Sequence, residues 1–98
     1  MRALNYAGCE LVTSDDVAQA LLDFVMTLPV NRPPEPVTIP ALQEGRPVTA
    51  RLLVTAQTPL LVTSTERPEV PLEGEERALS VLRHKMQRLD SIGYELRG

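Results

Sequence analysis

The only histidine, His84, is the first residue to consider for chemistry, because Ser-His-Asp and Cys-His hydrolases need an imidazole base beside a nucleophile. It lies in the stretch LRHKMQR, between Arg83 and Lys85. Neighbouring cations disfavour the imidazolium form, but a helical wheel places His84 beside Arg77 and Arg88 and away from the apolar stripe. We therefore predict a solvated surface histidine, and a protein that is not an enzyme.

Metal and phosphate chemistry find little support in the residue types. Zinc sites use clustered cysteine and histidine, and the chain has one of each. The acidic groups Asp15–Asp16 and Glu73, Glu75 and Glu76 are typical of helix N-termini, where the helix dipole favours carboxylates. The glycines form no phosphate-binding loop. From these three observations together we predict no metal and no cofactor. Cys9 is expected to be a small buried residue rather than a reactive thiol.

The elements that must position these residues begin with two short strands in RALNYAGCELVT, around a tight turn at Ala7–Gly8. Ser14 then caps a helix over residues 15–28, which Pro29 ends. After the stiff connector VNRPPEP, the segments VTIPAL, PVTARLLVTA and LLVTSTE are predicted strands. Pro40 removes a hydrogen-bond donor and places the first of these at an edge or a bulge.

A turn at Gly45 joins the first two of those strands, and a second helix runs from Glu75 to about Ile92, where Gly93 is the expected stop. The order β-β-α-β-β-β-α predicts one α+β domain over residues 1–98, an antiparallel sheet of about five strands with two helices. This order resembles the profilin-like fold shared by longin and roadblock modules. The resemblance implies helices on opposite sheet faces and an adaptor that dimerises or holds partners, and it transfers no functional residue.

The helix over residues 15–28 is unusually apolar: beyond its first turn Asp23 is its one charge. Its apolar positions spread over ~200° of the wheel, about twice the width of a core-facing stripe. Leaving three large apolar side chains in water would forgo ~5–9 kcal/mol. A second copy of the helix would cover the outer flank, so we predict a homodimer with Leu22, Val25 and Met26 as the possible interface.

The C-terminal helix is the alternative cover for that flank. If both helices lie on one sheet face, they cover each other and leave the opposite face in water. The polar side chains expected on that wet face are Thr49, Arg51, Thr55 and Thr63. The sequence leaves both arrangements open.

Arg77, His84, Lys85 and Arg88 fall on one side of the C-terminal helix. This basic strip is either a solvated face or a docking site for an acidic partner or a nucleic-acid backbone. The net charge of −3 argues against nucleic acid and anionic membranes.

The whole chain suggests a location and a class. Its apolar stretches fall short of the ~20 residues of a membrane span, MRALNYAGCE lacks a signal-peptide core, and one cysteine suits a reducing compartment. Nine arginines against one lysine suggest a GC-rich genome, so we expect a bacterial cytoplasmic protein. We predict a non-catalytic protein-interaction module with an unidentified partner. The alternative is a regulatory domain that senses a small molecule or nucleotide in a pocket between sheet and helix.

Overall fold

A computed structural model describes residues 1–97, with their side chains as far as Leu89. All strand pairs are antiparallel, and the spatial order is β4-β3-β2-β1-β5. Along the chain the elements are β1 Arg2–Tyr6, β2 Cys9–Thr13, α1 Asp15–Thr27, β3 Glu35–Gln43, β4 Arg46–Val54, β5 Leu61–Ser64 and α2 Glu75–Arg97. The predicted α+β class and element order are confirmed.

Two hairpins with two-residue turns organise the sheet. Ala7 and Gly8 have φ values of 50° and 83°, and Glu44 and Gly45 have values of 52° and 82°. Two central residues with positive φ define the turn whose twist matches that of paired strands. The turns predicted at Ala7–Gly8 and at Gly45 are therefore confirmed, and each fixes the register of the two strands that it joins.

The first helix begins as predicted. The Ser14 hydroxyl accepts a hydrogen bond of 3.1 Å from the Val17 N–H, which caps α1. The helix ends at Thr27 rather than at residue 28, because Leu28 already has extended backbone with ψ at 132°. Extended backbone is what Pro29 demands of the residue before it.

The second helix begins at Glu75 as predicted but continues to Arg97. The predicted end near Ile92 is therefore wrong. A glycine such as Gly93 costs a helix about 1 kcal/mol relative to alanine, and it stops the helix only where the backbone also turns into the left-handed region. The side chain of Ile92 lies outside those described.

Both helices pack on the same face of the sheet and contact each other. Their buried side chains form one core with those of the sheet: Leu4, Leu11, Val37, Ile39, Ala41, Leu52, Val54, Val17, Leu21, Phe24, Val25, Leu28, Leu79 and Leu82. On the other face Thr49, Arg51 and Thr63 are exposed. The resemblance implied helices on opposite faces of the sheet, and this expectation is wrong. Because both helices lie on one face, the sheet and α2 together cover the wide apolar surface of α1.

The sheet is strongly curved. The Tyr6 hydroxyl on β1 donates a hydrogen bond of 2.7 Å to the carbonyl oxygen of Leu53 on β4. Two strands separate β1 from β4, so in a flat sheet they would lie about 14 Å apart, beyond the reach of one tyrosine. Curvature thus brings β4 towards β1.

No helix within residues 1–97 combines the length and the apolar character that crossing a membrane requires.

Candidate functional site

One edge of β3 lacks a strand neighbour over most of its length. The strand has nine residues and β2 has five, and the two pair only at Val12 and Leu42. From Glu35 to Ala41, β3 is therefore hydrogen-bonded to β4 on one side alone. The first half of α2 faces this open edge across a groove with a volume of ≈ 550 Å³.

The walls of the groove combine apolar surface with unbalanced charge. Pro36 and Pro40 of β3 and Val81 of α2 supply apolar contacts; Val81 is 43% exposed, which leaves it accessible to a ligand. The charged side chains lining the groove are Arg51 from β4, Arg77 and Lys85 from α2, and Glu73 at its rim. The lining thus has three cations and one carboxylate in a chain whose net charge is −3, and one of the cations, Lys85, is paired with Glu35 at the end of the groove.

The backbone of β3 meets this groove in a defined pattern. In the hairpin, the pairs of odd-numbered β3 residues exchange hydrogen bonds with β4, so residues 36, 38 and 40 turn their backbone groups to the open edge. Two side-chain hydrogen bonds agree. Lys85 Nζ lies 3.2 Å from the Pro36 carbonyl oxygen, and Thr13 Oγ1 donates to the Pro40 carbonyl oxygen at 2.8 Å.

Thr38 differs from its two proline neighbours on this edge. Pro36 and Pro40 have no N–H, and their carbonyl oxygens already accept hydrogen bonds. Thr38 retains both an N–H and a carbonyl oxygen, and no side chain among residues 1–89 hydrogen-bonds either of them. Within the part of the chain whose side chains are described, Thr38 is therefore the residue of the open edge whose backbone donor and acceptor both lack a side-chain partner.

An ion cluster closes one end of the groove. Lys85 Nζ lies 2.8 Å from a Glu35 carboxylate oxygen, and Arg32 Nε lies 3.7 Å from the other oxygen. The hydrogen bond and charge of Lys85, helped by Arg32, hold the pKa of Glu35 below its usual value, although burial acts in the opposite direction. The cluster fixes α2 against the start of β3, and it positions Lys85 at the groove.

The residues of the predicted basic strip separate into different environments. Arg77 and Lys85 line the groove, whereas Lys85 and Arg88 line a second cavity of ≈ 60 Å³ next to the ion cluster. His84 is exposed and lines neither cavity. Arg77 and Lys85 are thus the pair that the structure aims at a common space.

The residues named as a possible α1 interface also separate. Val25 is buried within the core of the chain and Leu22 is half-buried. Met26 is 80% exposed. Phe24 and Leu28, on the other flank, are buried. Because α2 covers much of the outer flank, the apolar surface of α1 does not require a second copy.

The candidate nucleophile and base lie on different elements. Cys9 is exposed at the start of β2, so its predicted burial is wrong: it directly follows the hairpin turn, where the chain projects beyond the core. His84 takes part in no hydrogen bond or ion pair among residues 1–89. In the same part of the chain, no group of three His, Cys, Asp or Glu residues is placed to hold a metal ion.

Sequence reasoning missed the groove and two of its residues. Arg51 reads as one of several polar residues on a wet sheet face, and Thr38 as an ordinary strand residue. The available signal was the spacing of Pro36 and Pro40, which marks an edge with a single backbone donor between them. Which element faces that edge depends on how far β2 extends along β3.

No protein-family model matches the chain, and no curated protein or solved structure is significantly similar to it.

Proposed function

We propose that this protein is a non-catalytic interaction module that binds an acidic segment of a partner protein in the groove between β3 and α2. The observation that carries the proposal is the convergence of Arg51, Arg77 and Lys85 on one open, partly apolar space. Arg51 comes from the sheet and the other two come from the helix, so a ligand in the groove would meet cations on both walls. The proposed location remains the bacterial cytoplasm.

Charge complementarity selects the chemistry of the partner. A basic groove on a chain of net charge −3 attracts anions locally while the rest of the molecule repels them. The exposed Val81 and the two prolines suit an extended peptide, which offers carboxylates and apolar side chains together. A single compact anion would leave this apolar surface uncovered.

The test uses two peptides that differ only in charge. We expect acetyl-Glu-Thr-Val-Thr-Glu-amide to shift the amide resonances of β3 and α2 in a ¹⁵N-HSQC titration of the full chain. The matched peptide acetyl-Lys-Thr-Val-Thr-Lys-amide should leave them unchanged. Equal binding of both peptides, or binding of neither, would contradict the proposal.

Matched arginine variants locate the binding. Arg77→Gln and Arg51→Gln should each weaken binding of the acidic peptide about five-fold, since each removes one groove cation. The controls are Arg83→Gln on α2 and Arg46→Gln on β4, which remove exposed arginines that do not line the groove. The same loss in all four variants would indicate long-range attraction and no specific groove site.

A small-molecule sensing domain is the second candidate, because the groove volume falls within the 300–1,000 Å³ typical of ligand pockets. Citrate, inorganic phosphate and ATP represent its compact anionic ligands. A saturable rise in melting temperature with one of them, lost in Arg77→Gln and retained in Arg83→Gln, would favour this candidate over the peptide.

A further inference from the structure

We infer that the second cavity, next to the ion cluster, binds a phosphoryl dianion between Arg32 and Arg88. The ligand is free inorganic phosphate or the phosphate group of a small monoester, which share this chemistry. The cavity has a volume of ≈ 60 Å³ and is lined by Phe24 of α1, Arg32 of the connector, Glu35 of β3, and Lys85, Arg88 and Leu89 of α2. This site lies outside the proposed function and does not depend on what binds in the groove.

The described side chains around the cavity carry an excess of positive charge. Three of them are cations and one is a carboxylate. Lys85 donates to Glu35 at 2.8 Å and to the Pro36 carbonyl oxygen at 3.2 Å, so it neutralises Glu35 and is not available to a ligand. Arg32 and Arg88 remain, and two uncompensated cations favour a dianion over a monoanion such as chloride.

Both arginines keep N–H donors for that dianion. The Arg32 Nε atom lies 3.7 Å from the second Glu35 carboxylate oxygen, which is an ion pair longer than a hydrogen bond. Arg88 makes no hydrogen bond or ion pair with any of residues 1–89. A guanidinium offers five donors in a planar fork that matches the oxygens of a phosphate. Two such forks therefore face one small space.

The volume of the cavity limits the size of the group that it holds. One water molecule needs about 10–15 Å³ of cavity volume, so ≈ 60 Å³ is the space of about four or five waters. A compact oxyanion has this size, whereas a nucleotide or a peptide does not fit. Arg88 is exposed, so the cavity opens to solvent on that side, and the substituent of a small monoester can lie outside.

The connector holds Arg32 in place before any ligand binds. The Arg32 N–H donates to the Pro29 carbonyl oxygen at 3.1 Å, and Pro33 and Pro34 restrict the backbone that follows. Arg88 comes from α2, which is far away in the sequence. A bound dianion would therefore join the connector to α2 and stabilise the folded state by linkage.

The test is a titration of the full chain with inorganic phosphate at about pH 8, where the dianion predominates. We expect saturable one-site binding by calorimetry, a rise in melting temperature, and downfield shifts of the Nε–H resonances of Arg32 and Arg88. Sodium chloride of equal ionic strength should produce none of these. A second titration uses glycerol 1-phosphate: the tighter of the two ligands identifies free phosphate or a monoester as the source. Absence of saturable binding, or an equal response to chloride, would overturn the inference.

Arginine variants locate the dianion. Arg88→Gln and Arg32→Gln should each weaken phosphate binding about ten-fold, because each removes one of the two forks. The controls are Arg83→Gln, an exposed arginine of α2 that lines neither cavity, and Arg77→Gln in the groove, and both should change binding less than two-fold. HSQC spectra confirm that all variants are folded. Loss of binding in Arg77→Gln with retention in Arg88→Gln would place phosphate in the groove and overturn this site.

Glu35→Gln has an expected effect of the opposite sign. Glutamine has nearly the same shape and its amide oxygen can still accept from Lys85, but the negative charge beside the cavity is gone. Phosphate should therefore bind about three-fold tighter to this variant than to the wild type. Unchanged or weaker binding would contradict the charge argument, since a site held by shape alone gains nothing from loss of the carboxylate.

Discussion

The face of β3 that points towards α1 and the edge of β3 that faces α2 have different environments. Towards α1, residues Val37 and Ile39 are almost fully buried in a continuous aliphatic core with Phe24. Towards the first half of α2, the edge of the same strand meets an open groove lined by cations. The core side is packed mainly with apolar side chains, whereas on the groove side Lys85 donates a hydrogen bond to the Pro36 carbonyl oxygen.

This difference in burial separates the core residues, which stabilise the fold, from the groove residues, which we expect to bind a ligand. Side chains of the core lose almost all contact with water, and this burial is the main source of folding free energy. The groove side chains, such as Val81 and Arg77, remain accessible and contribute little to folding. Substitutions in the core should therefore change stability, and substitutions in the groove should change binding.

The largest expected effect follows from truncation of the core. Phe24 is fully buried, and Phe24→Ala should lower the free energy of unfolding by about 3–5 kcal/mol, because it removes apolar contacts and leaves a cavity. Val81→Ala is the matched apolar truncation in the groove, and it should cost less than about 1 kcal/mol at a side chain that is 43% exposed. Urea unfolding of both variants measures the difference. Similar losses in the two variants would show that the groove is part of the folding core.

The fold could be predicted from the sequence because its signals are local. Ser14 marks the start of α1, Gly8 and Gly45 mark the hairpin turns, and alternation marks β4. Each of these acts within a few residues and survives in the structure. The stop at Gly93 failed, because a glycine alone does not end a helix.

The groove could not be predicted, since it depends on contacts between segments far apart in the sequence. No hairpin sets the register of β2 against β3, because α1 and residues 28–34 separate them. Because β2 pairs with β3 at Val12 and Leu42 alone, most of the β3 edge is open. The helix α2 lies across the groove from this open edge. The sequence contains the cations, but only the tertiary structure places Arg51 and Arg77 in the lining of the same groove.

The ion cluster at the boundary between core and groove gives an intermediate, pH-dependent effect. Lys85 and Arg32 hold the pKa of Glu35 below its usual value, so the charged carboxylate is favoured in the folded state. The stabilisation is then fully present above the unfolded pKa of ~4.3 and is lost as the pH falls through the lower folded pKa. Glu35→Gln should cost about 1–2 kcal/mol at pH 7, since a charge-assisted hydrogen bond is lost.

The measurement is the free energy of unfolding of wild type and Glu35→Gln between pH 3 and pH 7. The difference between the two proteins should be constant above about pH 5 and shrink as the solution becomes more acidic. A difference that stays the same down to pH 3 would show that Glu35 does not titrate with a lowered pKa.

The smallest expected effect on stability concerns Met26, which belongs to neither region. Met26 is 80% exposed in the last turn of α1, so Met26→Glu should cost no more than about 1 kcal/mol, mostly through the unfavourable charge at a helix C-terminus. Met26→Gln, of similar size and without the charge, is its control.

The homodimer stays a prediction, and substitution of Met26 tests it. If a second copy covers this residue, glutamate would have to be buried at the contact and should dissociate the dimer. Sedimentation equilibrium across a concentration series should then show a wild-type dimer, a folded Met26→Glu monomer and an intermediate Met26→Gln. A wild type that stays monomeric at the highest concentration would mean that the cover provided by α2 is sufficient, and the dimer prediction would be wrong.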